Sequence, residues 1–435
     1  MKKQKIVVFW FRRDLRMNDN HGFYQALKSG FPVLPVFIFD KNILSDLEQT
    51  DSRVTFILHE AQKLQDEFEK RGSTFWIYHG TPQDAFNRLL SEFDVAEVFT
   101  NQDYEPYARE RDKAIYELLE DEGIRLRAFK DQLIFHKNEI VKADGSPYTV
   151  FTPYSKKWLS AMTEKDYQAY PSENLLENLV KLAPLRKYHH VDLGFKKGEY
   201  KIPPLELNTS VMNSYADTRD FPALAGTSRL GVHLRFGTVS IRQVTEVAVQ
   251  TSATFLNELI WRNFYMDILW HFPHVVRKSF RPAYDFIRWQ NSEKDFARWC
   301  AGTTGYPMVD AGMRELNATG YMHNRVRMVT ASFLCKHLLI DWRWGEAYFA
   351  EKLLDFELAS NNGGWQWAAG SGCDAAPYFR VFNPELQQKK FDSNFEYIKK
   401  WVPEFGTSAY PEPMVDHKMA RQRAISTYKE GLRDR

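Results

Sequence analysis

The chain has 435 residues, of which 44% are hydrophobic and 26% are charged. This balance excludes a disordered or fibrous protein and gives a chain long enough for two or three domains. The formal net charge is only +2, so bulk electrostatics do not indicate nucleic-acid binding. Arginines and lysines gathered on one face would still bind phosphates.

The cysteine pattern and the N-terminus favour a cytoplasmic protein. Cys300, Cys335 and Cys373 lie far apart without a CxxC pair, which disfavours both a disulfide framework and a zinc site. The basic start is followed by an apolar run from Ile6 to Phe11 only, too short for a signal peptide. Other apolar stretches fall well below the roughly 20 residues of a membrane span. We therefore expect no metal site and no membrane partner.

The first 130 residues alternate short strand patterns with helical ones. Apolar residues between Val54 and Phe68 recur at spacings of three and four and end at Gly72, which is typical of an amphipathic helix. Five segments are predicted to be strands: Ile6–Phe11, Leu34–Phe39, Phe75–Tyr78, Glu97–Phe99 and Leu126–Phe129. This alternation predicts a doubly wound α/β domain with a five-stranded parallel sheet over residues 1–130. The turn Arg12-Arg13-Asp14 lacks the GxGxxG dinucleotide fingerprint.

The remaining chain divides into two further parts. Residues 131–195 carry scattered Gly, Pro, Ser and Lys, which predicts an inter-domain connector with short helices. Helical periodicity dominates residues 196–435, which predicts an all-α domain. Nine of the 12 tryptophans lie after residue 250, more than packing normally uses. The helical part is therefore the expected location of the functional site.

A glycine-flanked hydroxyl segment, Gly226-Thr227-Ser228-Arg229-Leu230-Gly231, opens the helical part. Hydroxyls beside free backbone amides at a helix start form a phosphate cradle, because the amides and the helix dipole favour an anion. Helix capping is the commoner role of such a Thr-Ser pair. On the residues alone, capping is the favoured interpretation.

Two further segments place polar and aromatic side chains on shared helical faces. Glu258 and Trp261 are three residues apart, with Arg262 beside them. On a cavity wall, such an indole would stack on a base and the carboxylate would meet the edge of that base, whereas on a surface helix the pair is only half-buried packing. Asn324 and Met328 lie one turn apart. Asn in a helix interior costs helix propensity, so a polar partner is expected.

A Gly-Gly pair marks the third segment, where Asp355-Phe356-Glu357 is followed by Asn361-Asn362-Gly363-Gly364-Trp365-Gln366-Trp367. Glycines flanked by Asn and Trp indicate backbone lying close against a flat group.

Motifs of hydrolytic enzymes are not found in the sequence. His59-Glu60 lacks the second histidine of a zincin motif, and no Gly-x-Ser-x-Gly elbow occurs.

At these segments the sequence resembles the photolyase and cryptochrome family, over nearly the whole chain from Phe9–Arg16 to Val415–Lys418. The most specific matches are Thr304–Ala311, Met322–Arg325, Leu339–Arg343, Asn361–Trp367 and Asp374–Arg380. Within the family, the chain is most similar to class I members that act on cyclobutane pyrimidine dimers. The resemblance implies an α/β antenna domain followed by an all-helical domain that holds FAD in a U-shaped pose.

The resemblance also implies a set of site residues. The expected FAD contacts are Tyr215, Thr227, Ser228, Arg229, Leu230, Gly231, Arg327, Asp355, Glu357 and Asn361. Asn361 would face the flavin nitrogen that is protonated in the reduced cofactor, Arg327 would pair with Asp355, and the Thr-Ser pair becomes an expected phosphate site. The residues expected around the flipped dimer are Glu258, Trp261, Asn324, Met328 and Trp367, and those expected to hold DNA phosphates are Arg219, Arg262, Arg325 and Arg380.

The implied reaction is light-driven electron transfer. Excited, reduced FAD would donate an electron to the dimer, the cyclobutane ring would split, and the electron would return without net redox change. Glu258, Asn324 and Asn361 are the expected catalytic residues, with Glu258 stabilising the dimer anion. Trp365, Trp342 and Trp289 match the family relay that photoreduces oxidised FAD, although a single buried Trp is usually core packing.

Three functions remain in competition at this point. Asn324 and Met328 favour cyclobutane dimers, because (6-4) photolyases resemble one another in having His at the corresponding sites. The main alternative is a cryptochrome-type photoreceptor. Cryptochromes often carry a long C-terminal extension, whereas the motif here runs to about Arg421 and the chain stops at Arg435. A light-independent flavin electron-transfer protein would leave the dimer-facing residues unexplained. We expect a monomer that binds DNA containing pyrimidine dimers and needs no obligatory protein partner.

Two positions depart from the commonest family pattern: Tyr321 stands where Trp often precedes Met-His-Asn-Arg, and Glu357 replaces the more usual Asp. Both are mild changes of size that affect the tuning of the flavin more than its binding. Residues 101–107 depart from the folate-binding members and look closer to those with a deazaflavin or a second flavin. The expected antenna residues are Arg12, Asp40, Asp103 and Glu105.

Overall fold

A five-stranded parallel sheet, in the order β3-β2-β1-β4-β5, organises the N-terminal part of the chain. The computed structural model describes residues 4–433. The strands are β1 (Lys5–Phe11), β2 (Val33–Asp40), β3 (Trp76–Gly80), β4 (Asp94–Asn101) and β5 (Arg125–Phe129). Strands β1 and β2 are buried along almost their whole length, as expected for parallel strands covered on both faces. The predicted fold class is confirmed, and the strand ends differ from the prediction by a few residues.

Helices alternate with these strands: α1 (His21–Leu27), α2 (Lys41–Leu44), α3 (Ser52–Glu69), α4 (Pro82–Glu92) and α5 (Pro106–Asp121). Helix α3 is the predicted amphipathic helix, with Val54, Leu58 and Phe68 buried. The Asp51 side chain caps it by accepting from the Arg53 amide. Gly72 follows with a φ of 69°, a left-handed conformation that favours glycine.

Contacts divide the chain into two units, each built from three segments. The first unit comprises Met1–His136, Met162–Leu205 and Leu230–Val247, and the second comprises Lys137–Ala161, Glu206–Arg229 and Ala248–Arg435. This division differs from the predicted boundaries, since the predicted connector 131–195 contributes to both units. Sequence periodicity reports local structure and does not show which unit a segment packs in.

The second part of the chain is helical. Its helices are α6 (Phe151–Ala161), α7 (Thr209–Asn213), α8 (Tyr215–Thr218), α9 (Gly231–Phe236), α10 (Ile241–Thr251), α11 (Ala253–His271), α12 (Glu293–Ala301), α13 (Pro307–Thr319), α14 (Asn324–Ser332), α15 (Trp342–Lys352), α16 (Leu358–Ala369), α17 (Pro384–Phe391), α18 (Glu396–Trp401) and α19 (His417–Gly431). A π-helical turn, Phe333–His337, follows α14. The second unit has a large core that includes Trp299, Val326, Leu334, Trp342 and Trp365. Within residues 4–433, no helix combines the length and apolarity needed to cross a membrane.

A buried ion cluster lies in the first unit. Asp131 accepts from Arg16 at 2.7 Å and from Arg242 at 2.7 Å, and Arg242 also donates to Asp19 at 2.8 Å. Burial alone would raise the pKa of Asp131, but the two arginines lower that pKa to about 2. The Asp131 charge therefore stabilises the native state.

Asp131→Asn is expected to lower the free energy of unfolding by about 3–5 kcal/mol, because the two arginines lose their shared counter-charge. The native pKa lies below the unfolded value of about 3.9, so this stabilisation is complete above about pH 4 and is lost as the pH falls towards about 2. Urea unfolding across this range measures it, with the exposed Asp46→Asn as control. If the free energy of unfolding of Asp131→Asn fell with pH in the same way as that of the wild type, the stabilising role of Asp131 would be contradicted.

Candidate functional site

A cavity of about 400 Å³ opens in the second unit. Helices α11, α14 and α16 provide much of its wall. The predicted residues that line it are Arg219, Glu258, Trp261, Arg262, Asn324, Arg327, Met328, Asp355, Glu357, Asn361, Trp365 and Trp367. Residues separated by more than 100 positions in the chain therefore meet at one site. Those that the structure places outside the cavity lining are Tyr215, Thr227, Ser228, Arg229, Leu230, Gly231, Trp289, Arg325, Trp342 and Arg380.

Helix α11 presents Glu258 and Trp261 to the cavity, as their three-residue spacing predicts. The Trp261 ring lies parallel to Phe151, with centroids 3.5 Å apart and 3° between the planes. This stack covers one face of the indole and orients the ring. Glu258 forms an ion pair with Arg219. Arg219, expected to hold a DNA phosphate, is thus engaged by the cavity carboxylate in this structure.

Arg262, also expected to hold a DNA phosphate, pairs with a cavity carboxylate in this structure. Its guanidinium donates to Glu357 at 2.9 Å, and the two side chains are only 11% and 7% exposed. Ser360 donates to the other Glu357 oxygen at 3.3 Å. The positive charge of Arg262 is therefore paired with the buried Glu357 carboxylate in the cavity wall of this structure.

Arg327 and Asp355 form the pair that the resemblance implied. Arg327 Nη2 lies 2.9 and 3.1 Å from the two Asp355 oxygens, and its Nε donates to the Met322 carbonyl at 2.7 Å. Burial opposes the positive charge, but Asp355 outweighs it, so the pKa of Arg327 is raised. The cavity therefore keeps a fixed cation beside a fixed anion.

Asn361 is oriented by Glu346, a residue that no sequence motif indicated. Asn361 Nδ2 donates to the Glu346 carbonyl at 3.1 Å and to Glu346 Oε1 at 2.9 Å. Because both partners are acceptors, the amide nitrogen must face them, which leaves Oδ1 as an acceptor for a donor in the cavity. Burial raises the pKa of Glu346, and the Asn361 hydrogen bond opposes that shift.

Asn324 and Met328 share a face, with Nδ2 4.0 Å from the thioether sulfur. Asn324 is the first residue of α14, preceded by the N-cap His323. The expected helix-interior cost therefore does not arise, since the first turn tolerates Asn. Arg325 lies outside the cavity lining, where it pairs with Asp220 at 2.7 Å.

The predicted phosphate segment contacts Tyr321. Thr227 Oγ1 lies 3.3 Å from the Tyr321 hydroxyl, and the Arg229 guanidinium lies 4.5 Å from its ring centroid. Arg229 has a φ of 51°, and such strain in a non-glycine residue tends to occur at functional sites. Helix α9 starts only at Gly231, with Leu230 as an N-cap that makes no side-chain cap. The N-cap residue of α9 is therefore Leu230, not Thr227 or Ser228.

Three other expected FAD contacts and one residue expected to hold a DNA phosphate also lie outside the cavity lining. Leu230 and Gly231 belong to the first unit, and the Tyr215 ring packs edge-on against Phe255 with centroids 5.2 Å apart. Arg380 is exposed. The sequence alone could not separate Leu230 and Gly231 from Thr227 and Arg229, because these residues are consecutive in the chain and their packing partners are not.

Trp365 is the member of the predicted tryptophan relay that lines the cavity. It is buried, with ring centroids 4.9 Å from Phe349 and 6.0 Å from Trp299. Trp342 is buried, while Trp289 is half-buried with its ring 5.8 Å from Tyr428. The Trp299 contact was not predicted, because no motif relates residues 66 positions apart.

The two glycines of the Gly-Gly pair have different surroundings. A Cβ on Gly363 would come within 2.2 Å of the Tyr265 ring, whereas a Cβ on Gly364 would meet nothing within 4 Å. Gly364 lines the cavity, so helix backbone is exposed to whatever the cavity binds. The predicted close approach of backbone to a flat group fits this arrangement. Tyr265 and Phe349 are further cavity residues that no sequence motif indicated.

The four expected antenna residues are engaged by protein groups in the first unit. Arg12 pairs with Asp112, Asp103 with Arg13 at 3.2 Å, Glu105 with Arg235 at 2.6 Å, and Asp40 accepts from Tyr107 at 2.5 Å. Burial opposes the Asp103 charge, but Arg13 and its neighbours lower the pKa of that carboxyl.

Within residues 4–433, no group of three or more His, Cys, Asp or Glu side chains is arranged to hold a metal ion.

Most residues of the cavity lie within a segment that matches a known protein domain. Residues 255–409 match the FAD binding domain of DNA photolyase, and residues 7–173 match the DNA photolyase model. A deoxyribodipyrimidine photo-lyase from Synechococcus is 36% identical, with 98% of this chain and 96% of the relative covered. A class III photolyase structure from Agrobacterium tumefaciens has a TM-score of 0.84 at 33% identity, covering 100% and 99% of the two chains. A Sulfolobus tokodaii photolyase containing two FAD molecules has a TM-score of 0.81 at 33% identity, covering 98% and 99%.

Proposed function

The chain belongs to the DNA photolyase family, and from this premise we propose that it is a deoxyribodipyrimidine photo-lyase that splits cyclobutane pyrimidine dimers in blue light. The observation that most strongly supports this proposal is the cavity lined by Glu258, Trp261, Asn324 and Asn361. A cavity lined by aromatic rings with a few convergent polar groups is typical of a ligand site. Its residues lie mostly within the segment that matches the FAD binding domain.

The residues present fit FAD. Gly364 leaves open space beside the backbone, Asn361 Oδ1 is directed to accept from a flavin N–H, and Arg327 paired with Asp355 supplies fixed polar groups. Thr227 and Arg229 form the proposed phosphate end beside Tyr321. Reduced FAD would supply the electron that splits the dimer.

The other side of the cavity fits a flipped dimer. Trp261 and Trp367 offer flat apolar surfaces, and Asn324 with Met328 adds an amide and a polarisable sulfur. Glu258 is the proposed group that contacts the dimer, and it would stabilise the dimer anion by donating a hydrogen bond as the neutral acid, once separated from Arg219. Because Arg219 pairs with Glu258 in this structure, we infer that DNA phosphates compete for this arginine when the dimer enters. A dimer costs less to flip than a normal base, which itself contributes selectivity.

The proposed photo-lyase activity is tested by measuring repair of irradiated DNA by the purified, reduced protein. Blue light should remove cyclobutane dimers, leave (6-4) lesions intact and have no effect in the absence of protein, and a dark control should show no loss. Flavin photochemistry without dimer loss would instead support the cryptochrome-type photoreceptor. Repair of (6-4) lesions alone would overturn the lesion assignment drawn from Asn324 and Met328. Sedimentation of the DNA-bound protein tests the proposed monomer.

Trp365→Phe is expected to slow photoreduction of the oxidised flavin about tenfold or more, because the cavity-lining indole is the proposed first electron donor. Dimer repair after chemical reduction should change little. Trp344→Phe, a half-buried Trp near Trp342, serves as control. Equal photoreduction by both variants, followed through the flavin absorbance, would contradict the relay.

We also propose a second chromophore of the deazaflavin or flavin type in the first unit. The departure of residues 101–107 from the folate-binding pattern supports this proposal, and so does the second FAD in the Sulfolobus relative. Because Arg12, Asp103 and Glu105 are held by protein partners, the chromophore would have to share or replace those contacts. Mass spectrometry of extracted chromophores tests the proposal, and a pterin would overturn it.

A further inference from the structure

Lys336 is a buried cation that neither the proposed FAD site nor the dimer site uses. It is 1% exposed and lies in the π-helical turn that follows α14. Burying an ammonium group is costly unless a hydrogen bond compensates it. Burial is the main cause that lowers the pKa of Lys336 to about 8. An apolar side chain would fill this core position at lower cost, so the ammonium group itself requires an explanation.

The Lys336 ammonium reaches a loop 44 positions away. Its Nζ donates to the Arg380 carbonyl at 3.1 Å, and the described residues show no other hydrogen bond from this group. The bond to a main-chain oxygen constrains the course of the backbone and does not depend on the Arg380 side chain. Lys336 thus ties the loop between α16 and α17 to the core of the second unit.

That loop carries exposed groups on one side and supports the cavity on the other. Phe379 is 58% exposed and Arg380 is exposed beside it. Phe382 packs against Trp367, a cavity residue, with centroids 6.2 Å apart. Tyr378 stacks on the buried Tyr428 with centroids 5.9 Å apart. Tyr378 and Phe382 thus anchor the loop on either side of Arg380, so losing the Lys336 bond frees chiefly the outward-facing Phe379–Arg380 segment and leaves the support of Trp367 in place.

We propose that Lys336 is a positioning residue, which holds the Arg380 backbone so that the Arg380 guanidinium faces the phosphates of the dimer-containing strand. This inference rests on the proposed function and adds a residue to its DNA recognition. Lys336 touches neither the dimer nor the flavin site. It acts through Arg380 and governs how flanking DNA is held, not how the dimer is split.

Two substrates separate this role from a merely structural one. A dimer within a duplex has flanking phosphates, whereas an isolated dinucleotide photodimer lacks them. Lys336→Met should raise KM for the duplex about tenfold, equivalent to about 1.4 kcal/mol of binding, because the Arg380 guanidinium is then no longer held towards the phosphates. The kcat for the duplex and the repair of the dinucleotide should stay at wild-type values. Lys336→Gln, which keeps a donor, should restore part of the duplex affinity, and the exposed Lys400→Met is the matched control.

A double-mutant cycle with Arg380→Gln provides a second measurement that needs no apolar substitution at Lys336. Because Lys336 is inferred to act through Arg380, the effects of Lys336→Gln and Arg380→Gln on duplex KM should be clearly less than additive. Equal losses on both substrates, no loss on either, or additive effects would overturn the inference. If the wild type repairs neither substrate, the proposed function itself fails, a result distinguishable from the others.

Discussion

Asp355→Asn should produce a protein that folds but is purified with about one tenth of its FAD or less, a loss of roughly 1.4 kcal/mol or more in binding. The substitution preserves shape and removes the charge that faces Arg327 Nη2 at 2.9 and 3.1 Å. Asn at this position keeps one amide oxygen for Arg327 beside the Met322 carbonyl at 2.7 Å, but it replaces a charge-assisted pair with a weaker neutral acceptor. A cofactor site assembled around this pair then loses its anion and is left with an uncompensated cation.

A matched ion pair supplies the control for Asp355→Asn. Arg314 and Glu404 form a similar two-bond pair at 2.6 and 3.0 Å, with comparable exposure and outside the cavity lining. Glu404→Gln should leave FAD content unchanged while costing at most about 1 kcal/mol of stability, as for other partly exposed pairs. The flavin-to-protein absorbance ratio and urea unfolding measure both quantities. Full FAD content in Asp355→Asn would contradict the proposed role of the pair.

Trp261→Ala should weaken binding of dimer-containing DNA by about 5- to 150-fold, the range that corresponds to about 1–3 kcal/mol of lost stacking per base. The Phe151 stack at 3.5 Å fixes the indole plane, so the ring is already in place before the dimer arrives and little ordering is needed on binding. Trp261→Phe should give an intermediate affinity, because part of the flat surface remains.

The control for Trp261→Ala lies on the same helix. Trp270 is a half-buried tryptophan of α11 that lies outside the cavity lining and contacts Lys137, 4.6 Å from its ring centroid. Trp270→Ala should leave DNA affinity within about twofold of wild type, since it removes similar bulk without touching the cavity. Titration of both variants with dimer-containing and undamaged duplexes measures the difference. Equal losses for both variants would show that α11 packing, not stacking on the dimer, sets the affinity.

Local periodicity accounts for what could be predicted of the fold. The strands follow from short apolar, β-branched and aromatic runs bounded by turns, and helix α3 follows from three- and four-residue spacings, because both patterns are local in the chain. The same reasoning put Glu258 and Trp261 on one face of α11. The resemblance supplied the expected site residues, many of which lie around one cavity.

Contacts between distant segments account for what could not be predicted. Glu346 orients Asn361 from a neighbouring helix, and the inward pairing of Arg262 depends on Glu357, 95 positions away. The distribution of residues 131–195 over both units likewise depends on packing partners remote in the chain.

The sequence by itself therefore determined the element types, the order of the α/β and helical parts, and which residues carry the family motifs. Only the tertiary structure decided which charged side chains pair with one another and which remain available to bind a ligand. The Thr-Ser pair illustrates the difference, since its sequence suits a cap while Thr227 contacts Tyr321. The physical reason is that the stability and pKa of a polar group depend on its burial and its partner, and both are set by chain segments far apart in sequence.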